Sequence, residues 1–118
     1  MSKQLERARS YWSSEKARDL DQILEHFAED AVFRAPTMRL NGRGEIKQYY
    51  ENVLNNFKSI DVSVLNSVES GRSLVVEWRC RLLGHDDLLR EVLGCNVFEF
   101  EGDQFQTLRV YFNPADFD

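Results

Sequence analysis

The chain has 118 residues, enough for one domain spanning residues 1–118 with a sizeable core and no need of disulfide or metal staples. Its 15 Lys and Arg against 20 Asp and Glu leave a formal charge of −5, mixed along the chain, which argues against nucleic acid or an anionic membrane as partner. No apolar run reaches membrane-spanning length, and the start from Met1 to Ser10 lacks the apolar core of a secretion signal, so the expected location is cytoplasmic.

Residues 2–17 form the first predicted helix, with Leu5, Ala8, Trp12 and Tyr11 toward the inside. Tyr11 joins an aromatic body to a hydroxyl that wants a partner if buried; the plain alternative is a core aromatic whose hydroxyl reaches water. Asp19 suits the cap of a second helix, with Gln22 three residues on completing a capping box. Leu20, Ile23, Leu24 and Phe27 then recur at helical spacing, placing His26 beside the apolar stripe as a rim histidine. Ala31 to Ala35 predicts a short strand ended by Pro36, which has no backbone N–H to give. After a turn at Asn41-Gly42-Arg43-Gly44, a third helix carries Ile46, Tyr49, Tyr50, Val53, Leu54 and Phe57 on one stripe.

The second half reads as sheet. Ile60 to Ser67 alternates loosely, with Ile60, Val62, Val64 and Asn66 on one side, and Gly71 marks a turn. Beyond Leu74, Val76, Trp78, Cys80 and Leu82 face one way while Glu77, Arg79 and Arg81 face the other. A turn at Gly84-His85-Asp86-Asp87, with His85 solvated, leads to a strand from Leu89 to Phe100. Gly102-Asp103 turns the chain into Phe105 to Phe112, and Asn113-Pro114 closes it. Helices followed by strands on short turns predict an antiparallel α+β sheet rather than alternating βαβ units. Strands of about ten residues exceed the usual five or six, and long twisted strands curl and can enclose a pocket.

Cys80 and Cys95 lie within predicted strands and are expected to be buried, reduced thiols, close enough on successive strands to approach each other. No metal-ligand spacing, phosphate loop, dinucleotide fingerprint or nucleophile elbow is present, so neither metal nor cofactor is expected.

Asp19-Leu20, Leu24, Phe27, Ala28-Glu29-Asp30-Ala31, Pro36, and Gly42-Arg43 before Ile46 and Tyr49 carry a resemblance. The sequence from Tyr11 to Phe112 is similar to the nuclear transport factor 2 superfamily, and more narrowly to its SnoaL-like and ketosteroid-isomerase-like members. That resemblance implies three N-terminal helices in the concave face of a strongly curved, mixed but mainly antiparallel sheet, a cone that commonly pairs as a homodimer. It places the isomerase's oxyanion-donating tyrosine on Tyr11 and a second network tyrosine on Tyr50. A third falls on Phe27, without its hydroxyl. The protonated aspartic acid falls on Asn96, whose amide can still donate. The general-base aspartate falls on Ala35, and a methyl group cannot take a proton, so steroid isomerisation is not expected.

The expected partner is a hydrophobic small molecule, held by Phe27, Phe33, Ala35, Tyr50, Trp78, Phe98, Leu108, Val110 and Phe112. Three functions fit: an isomerase, cyclase or lyase acting on a carbonyl compound through Tyr11 and Asn96, a binder that holds a ligand without turnover, or a protein adaptor with a filled cone. Arg79, Arg81, Arg109 and Tyr111 alternate away from the pocket, and the face they share is the expected dimer contact.

Overall fold

A six-stranded mixed sheet in the order β2-β1-β6-β5-β4-β3 curls around three helices in the computed structural model, which describes residues 2–117. Helix α1 (Lys3–Lys16) begins where the Ser2 hydroxyl accepts the Leu5 N–H at 3.0 Å. Its buried stripe is Ala8, Tyr11, Trp12 and Glu15, spaced i, i+3, i+4, i+7. Arg18, at φ 60°, turns the chain into α2 (Leu20–Glu25). Its guanidinium donates to the carbonyls of Leu54, Phe57 (2.9 Å) and Lys58 (3.1 Å), tying this corner to the end of the third helix. Asp19 caps α2 as expected, accepting the Gln22 N–H at 3.2 Å.

Helix α2 stops earlier than its apolar spacing predicts. Phe27 opens strand β1 (Phe27–Ala35), because the chain there pairs in parallel with β6 and the His26 carbonyl accepts the Phe105 N–H at 2.8 Å. His26 is therefore not at a rim; it is 1% exposed. Strand β2 (Met38–Asn41) folds back on β1 from Pro36-Thr37, where the sequence shows only a loop and a turn. Asn41 is at once its last residue and the N-cap of α3 (Gly42–Asn56), its N–H held by Glu45 Oε1 at 2.7 Å. Phe57 belongs not to this helix but to β3 (Phe57–Ser70).

Strands β4 (Ser73–Gly84), β5 (Leu89–Glu101) and β6 (Gln104–Phe112) complete an antiparallel run with β3, and a short 3-10 turn follows at Pro114–Phe117. Between Val64↔Trp78 and Asn66↔Glu77 the register slips, so Leu65 bulges out. A one-residue slip exchanges faces, which puts Asn66 beside Glu77 and away from Val64. The same parity separates the cysteines. Cys80 stands opposite Val92 on the inner face, whereas half-buried Cys95 stands opposite Glu77 on the outer one, so the two thiols are free and point apart.

One end of the cone is filled. Phe105 is surrounded there by Phe98 (4.7 Å between ring centres), Tyr11, Phe27 and Phe100 (5.3 Å each) and His26 (6.0 Å). Among the described residues no helix is long and apolar enough to cross a membrane.

Candidate functional site

The opposite end is hollow. A cavity of about 120 Å³ lies between α1, α3 and the inner face of the sheet, with Tyr11, Tyr50, Glu15, Trp78 and Asn96 at its buried end. Half-exposed Tyr49, Val53, Phe57, Val62, Val110 and Phe112 form its outer part. The remaining wall is Trp12, Phe33, Ile60, Cys80 and Leu82. Among the described residues no Lys, Arg or His lines it.

Of the residues expected to contact a ligand, Phe33, Tyr50, Trp78, Val110 and Phe112 stand in this wall together with Tyr11 and Asn96. Phe27, Phe98, Leu108 and Ala35 do not. Phe27 and Phe98 are spent on the aromatic cluster around Phe105, and Leu108, across from Phe33 and Phe98 and fully buried, packs in the same core. Ala35 ends β1 opposite Met38, beside the turn at Pro36 and outside the wall.

Trp78 and Asn96 are held in one arrangement. Gly94 sits across from Trp78, and a Cβ there would come within 2.5 Å of the indole ring and 2.6 Å of the Tyr111 carbonyl oxygen. Only glycine lets the indole lie flat over β5, and from there Trp78 Nε1 donates to Asn96 Oδ1 at 2.9 Å. An indole N–H can only donate, so this bond settles which end of the amide is oxygen. The Asn96 NH2 group has no protein acceptor among the described residues and is the donor this side of the cavity offers.

On the helical side the Tyr11 and Tyr50 hydroxyls are hydrogen-bonded to each other. Burial, with the nearby Glu15 carboxyl adding to it for both, pushes the two phenols well above their usual pKa, so both keep their protons. The expectation of a hydroxyl reaching water at Tyr11 is replaced by this pair.

Glu15 is the functional group that sequence reasoning misses. It is 8% exposed, and no Lys, Arg or His pairs with it among the described residues. Burial raises its pKa from 4.5 to about 7, opposed by a hydrogen bond from the Tyr50 hydroxyl. The signal for it is one of spacing: Glu15 falls at the i+7 position of the stripe begun by Ala8, where a charged residue faces inward. Cys80 shares the cavity, its thiol pushed up to about 12 by burial first and Glu15 second, and so stays protonated.

The two histidines lie elsewhere. His26 Nδ1 contacts the Gln22 carbonyl at 2.6 Å, which can only accept, so Nε2 accepts from the Ser10 hydroxyl at 2.9 Å. Burial lowers its pKa and it does not line the cavity. His85 is exposed in its turn, as expected, with Nε2 on the Asn55 carbonyl at 2.8 Å.

Residues 8–107 match the SnoaL-like domain family. The chain belongs to that family. Its fold is shared with an NTF2-like protein of unknown function from Burkholderia pseudomallei, at TM-score 0.89 and 20% identity, covering 99% of this chain and 95% of that one. TerC, co-crystallised with polyporic acid, superposes at TM-score 0.88 with 14% identity over 98% of this chain and 95% of its own. An LEH-like epoxide hydrolase of M. tuberculosis gives 0.84 and 16%, over 97% and 85%. Identities this low carry the fold and not the chemistry. No protein of curated function matches the SnoaL-like chain in sequence.

Proposed function

We propose that this SnoaL-like protein is a small-molecule pocket protein of the isomerase, cyclase or lyase type, acting on a compact hydrophobic carbonyl compound through an oxyanion site made by Tyr11 and Asn96. The observation that carries the reading is the fixed Asn96 amide, whose NH2 is the unclaimed donor in the same cavity as the Tyr11 hydroxyl. Neutral donors in an apolar wall favour an oxygen on which negative charge develops. The volume limits the ligand. A dry cavity of about 150 Å³ takes benzene, so the about 120 Å³ here suits a single ring or a short chain and not a fused polycycle. Two free cysteines and the absence of an apolar helix of spanning length among the described residues fit the cytoplasmic setting of this reading.

Single-ring phenols of graded acidity test the site at pH 6, where Glu15 keeps its proton. Affinity, read from Trp12 and Trp78 fluorescence, rises with phenol acidity. Because one donor to a charged oxygen contributes about 1.5–3 kcal/mol, Tyr11→Phe or Asn96→Leu weakens the most acidic phenol at least about tenfold and flattens the trend. A parent chain indifferent to phenol acidity overturns the oxyanion site.

The same reading includes a homodimer on the outer sheet face. Leu65, Val68, Leu93 and Tyr111 are exposed there around a shallow groove. The arginines expected on that face form ion pairs within it: Arg79 and Arg81 with Glu91 at 3.3 and 3.7 Å, and Arg109 with Glu99 at 3.2 Å. Helices cover only the concave side, so a second copy laid on this one buries the apolar strip symmetrically. Sedimentation at micromolar concentration gives a dimer that Leu93→Glu splits; a parent chain that sediments only as monomer removes the proposal.

A further inference from the structure

We infer that Glu15 is the proton acceptor of this site, taking a proton from the carbon beside the substrate's carbonyl group and returning it to the carbon skeleton; the inference rests on the oxyanion reading above. Three observations meet on this residue. It lies in the wall of the cavity, it is buried on α1 one helical turn from Tyr11, and no cation accompanies it among the described residues. A carboxyl kept for stability would be paired or exposed, because an unpaired buried charge is costly. A carboxyl kept for proton transfer gains from the same isolation: with its pKa at about 7 it is a stronger base than an ordinary carboxylate and is still half ionised at neutral pH.

The groups facing it are acids that hold their protons. These are Tyr11 on its own helix, Tyr49 and Tyr50 on α3, and Cys80 on β4. Elsewhere, Asp61 on β3 is paired to Lys16 at 3.5 Å, and the Arg18 guanidinium is occupied by three carbonyls. In proton transfer the C–H bond breaks and the proton goes to a Glu15 oxygen. The electron pair moves onto the carbonyl oxygen, giving an enolate, and Glu15 then gives the proton back at the same or a conjugated carbon. No oxidant or co-reactant is consumed.

Two probes read the base without knowledge of the natural substrate. One is hydrogen–deuterium exchange at the carbon beside the carbonyl of cyclohexanone in D2O, followed by NMR; the other is isomerisation of cyclohex-3-enone to its conjugated isomer, followed by absorbance. The parent chain accelerates at least one of them, with a pH midpoint near 7 set by Glu15. Glu15→Gln lowers that rate about 100-fold or more, within the range of a general base, and Glu15→Asp restores part of it. Phenol affinity of the parent chain that rises with phenol acidity, together with an exchange rate unchanged in Glu15→Gln, removes the base and leaves the oxyanion site standing. Exchange that persists while phenol acidity has no effect removes the oxyanion site and leaves the base standing. Equal rates in the parent and Glu15→Gln, or no acceleration of either probe, overturns the inference.

Discussion

At pH 8 Glu15→Gln is about 3 kcal/mol more stable than the parent chain, while at pH 4 the two unfold nearly alike. Burial raises the carboxyl from 4.5 to about 7 in the folded state, and each pKa unit is about 1.4 kcal/mol. Between those values the unfolded chain has lost this proton and the folded chain still holds it, so stability falls as pH rises. The loss is complete above about pH 7. The glutamine amide fills nearly the same volume as the carboxyl it replaces, carries no charge and escapes the fall. Urea denaturation across pH 4 to 9 reads the difference directly, since every other titrating group is common to both chains. Parallel pH curves would mean that the folded carboxyl is well solvated, and the case for Glu15 as a base would go with them. A protein that keeps an unpaired buried carboxyl at this cost gives up stability in the one place where apolar surroundings and proton transfer are wanted together.

The parts of the fold that are legible in the sequence are those where local pattern and tertiary environment agree. The alternation of Val76, Trp78, Cys80 and Leu82 is the inner face of β4, and the Asp19 cap opens α2. Where they disagree, pairing wins. Phe27 and Phe57 both continue a helical apolar spacing, yet each is the first residue of a strand because a neighbouring strand captures its backbone. Parity arguments fail at Leu65, since a bulge leaves no mark in hydropathy, and with it Asn66 changes face. The candidate site divides the same way. Tyr11 and Asn96 come from resemblance, and their shared cavity is a fact of three dimensions. Glu15 is legible from spacing alone but hidden by its charge, because a glutamate on a helix is ordinarily solvated. Phe27, Phe98 and Leu108 do face inward, but inward-facing residues of a cone divide between filling its closed end and lining its hollow one. Strand alternation cannot tell those apart.

That division yields the largest loss of stability expected in this molecule. Phe105→Ala removes a fully buried ring around which Tyr11, Phe27, Phe98, Phe100 and His26 are packed. Buried Phe→Ala changes cost about 3–5 kcal/mol through lost transfer energy and the void left behind. The upper part of that range applies here, because the neighbouring rings are also held by one another and cannot collapse into the space. Small domains have only about 5–15 kcal/mol in total, so the variant lies near the edge of folding at room temperature. Val53→Ala, on the half-exposed rim of the cavity, costs under about 1 kcal/mol, since that end is already hollow and the change raises helix propensity. Urea denaturation of both variants at one pH measures the contrast. Equal losses at Phe105 and Val53 would mean that the cone is packed alike at both ends, and the cavity between Glu15 and Asn96 would then have no rigid floor to hold its donors in place.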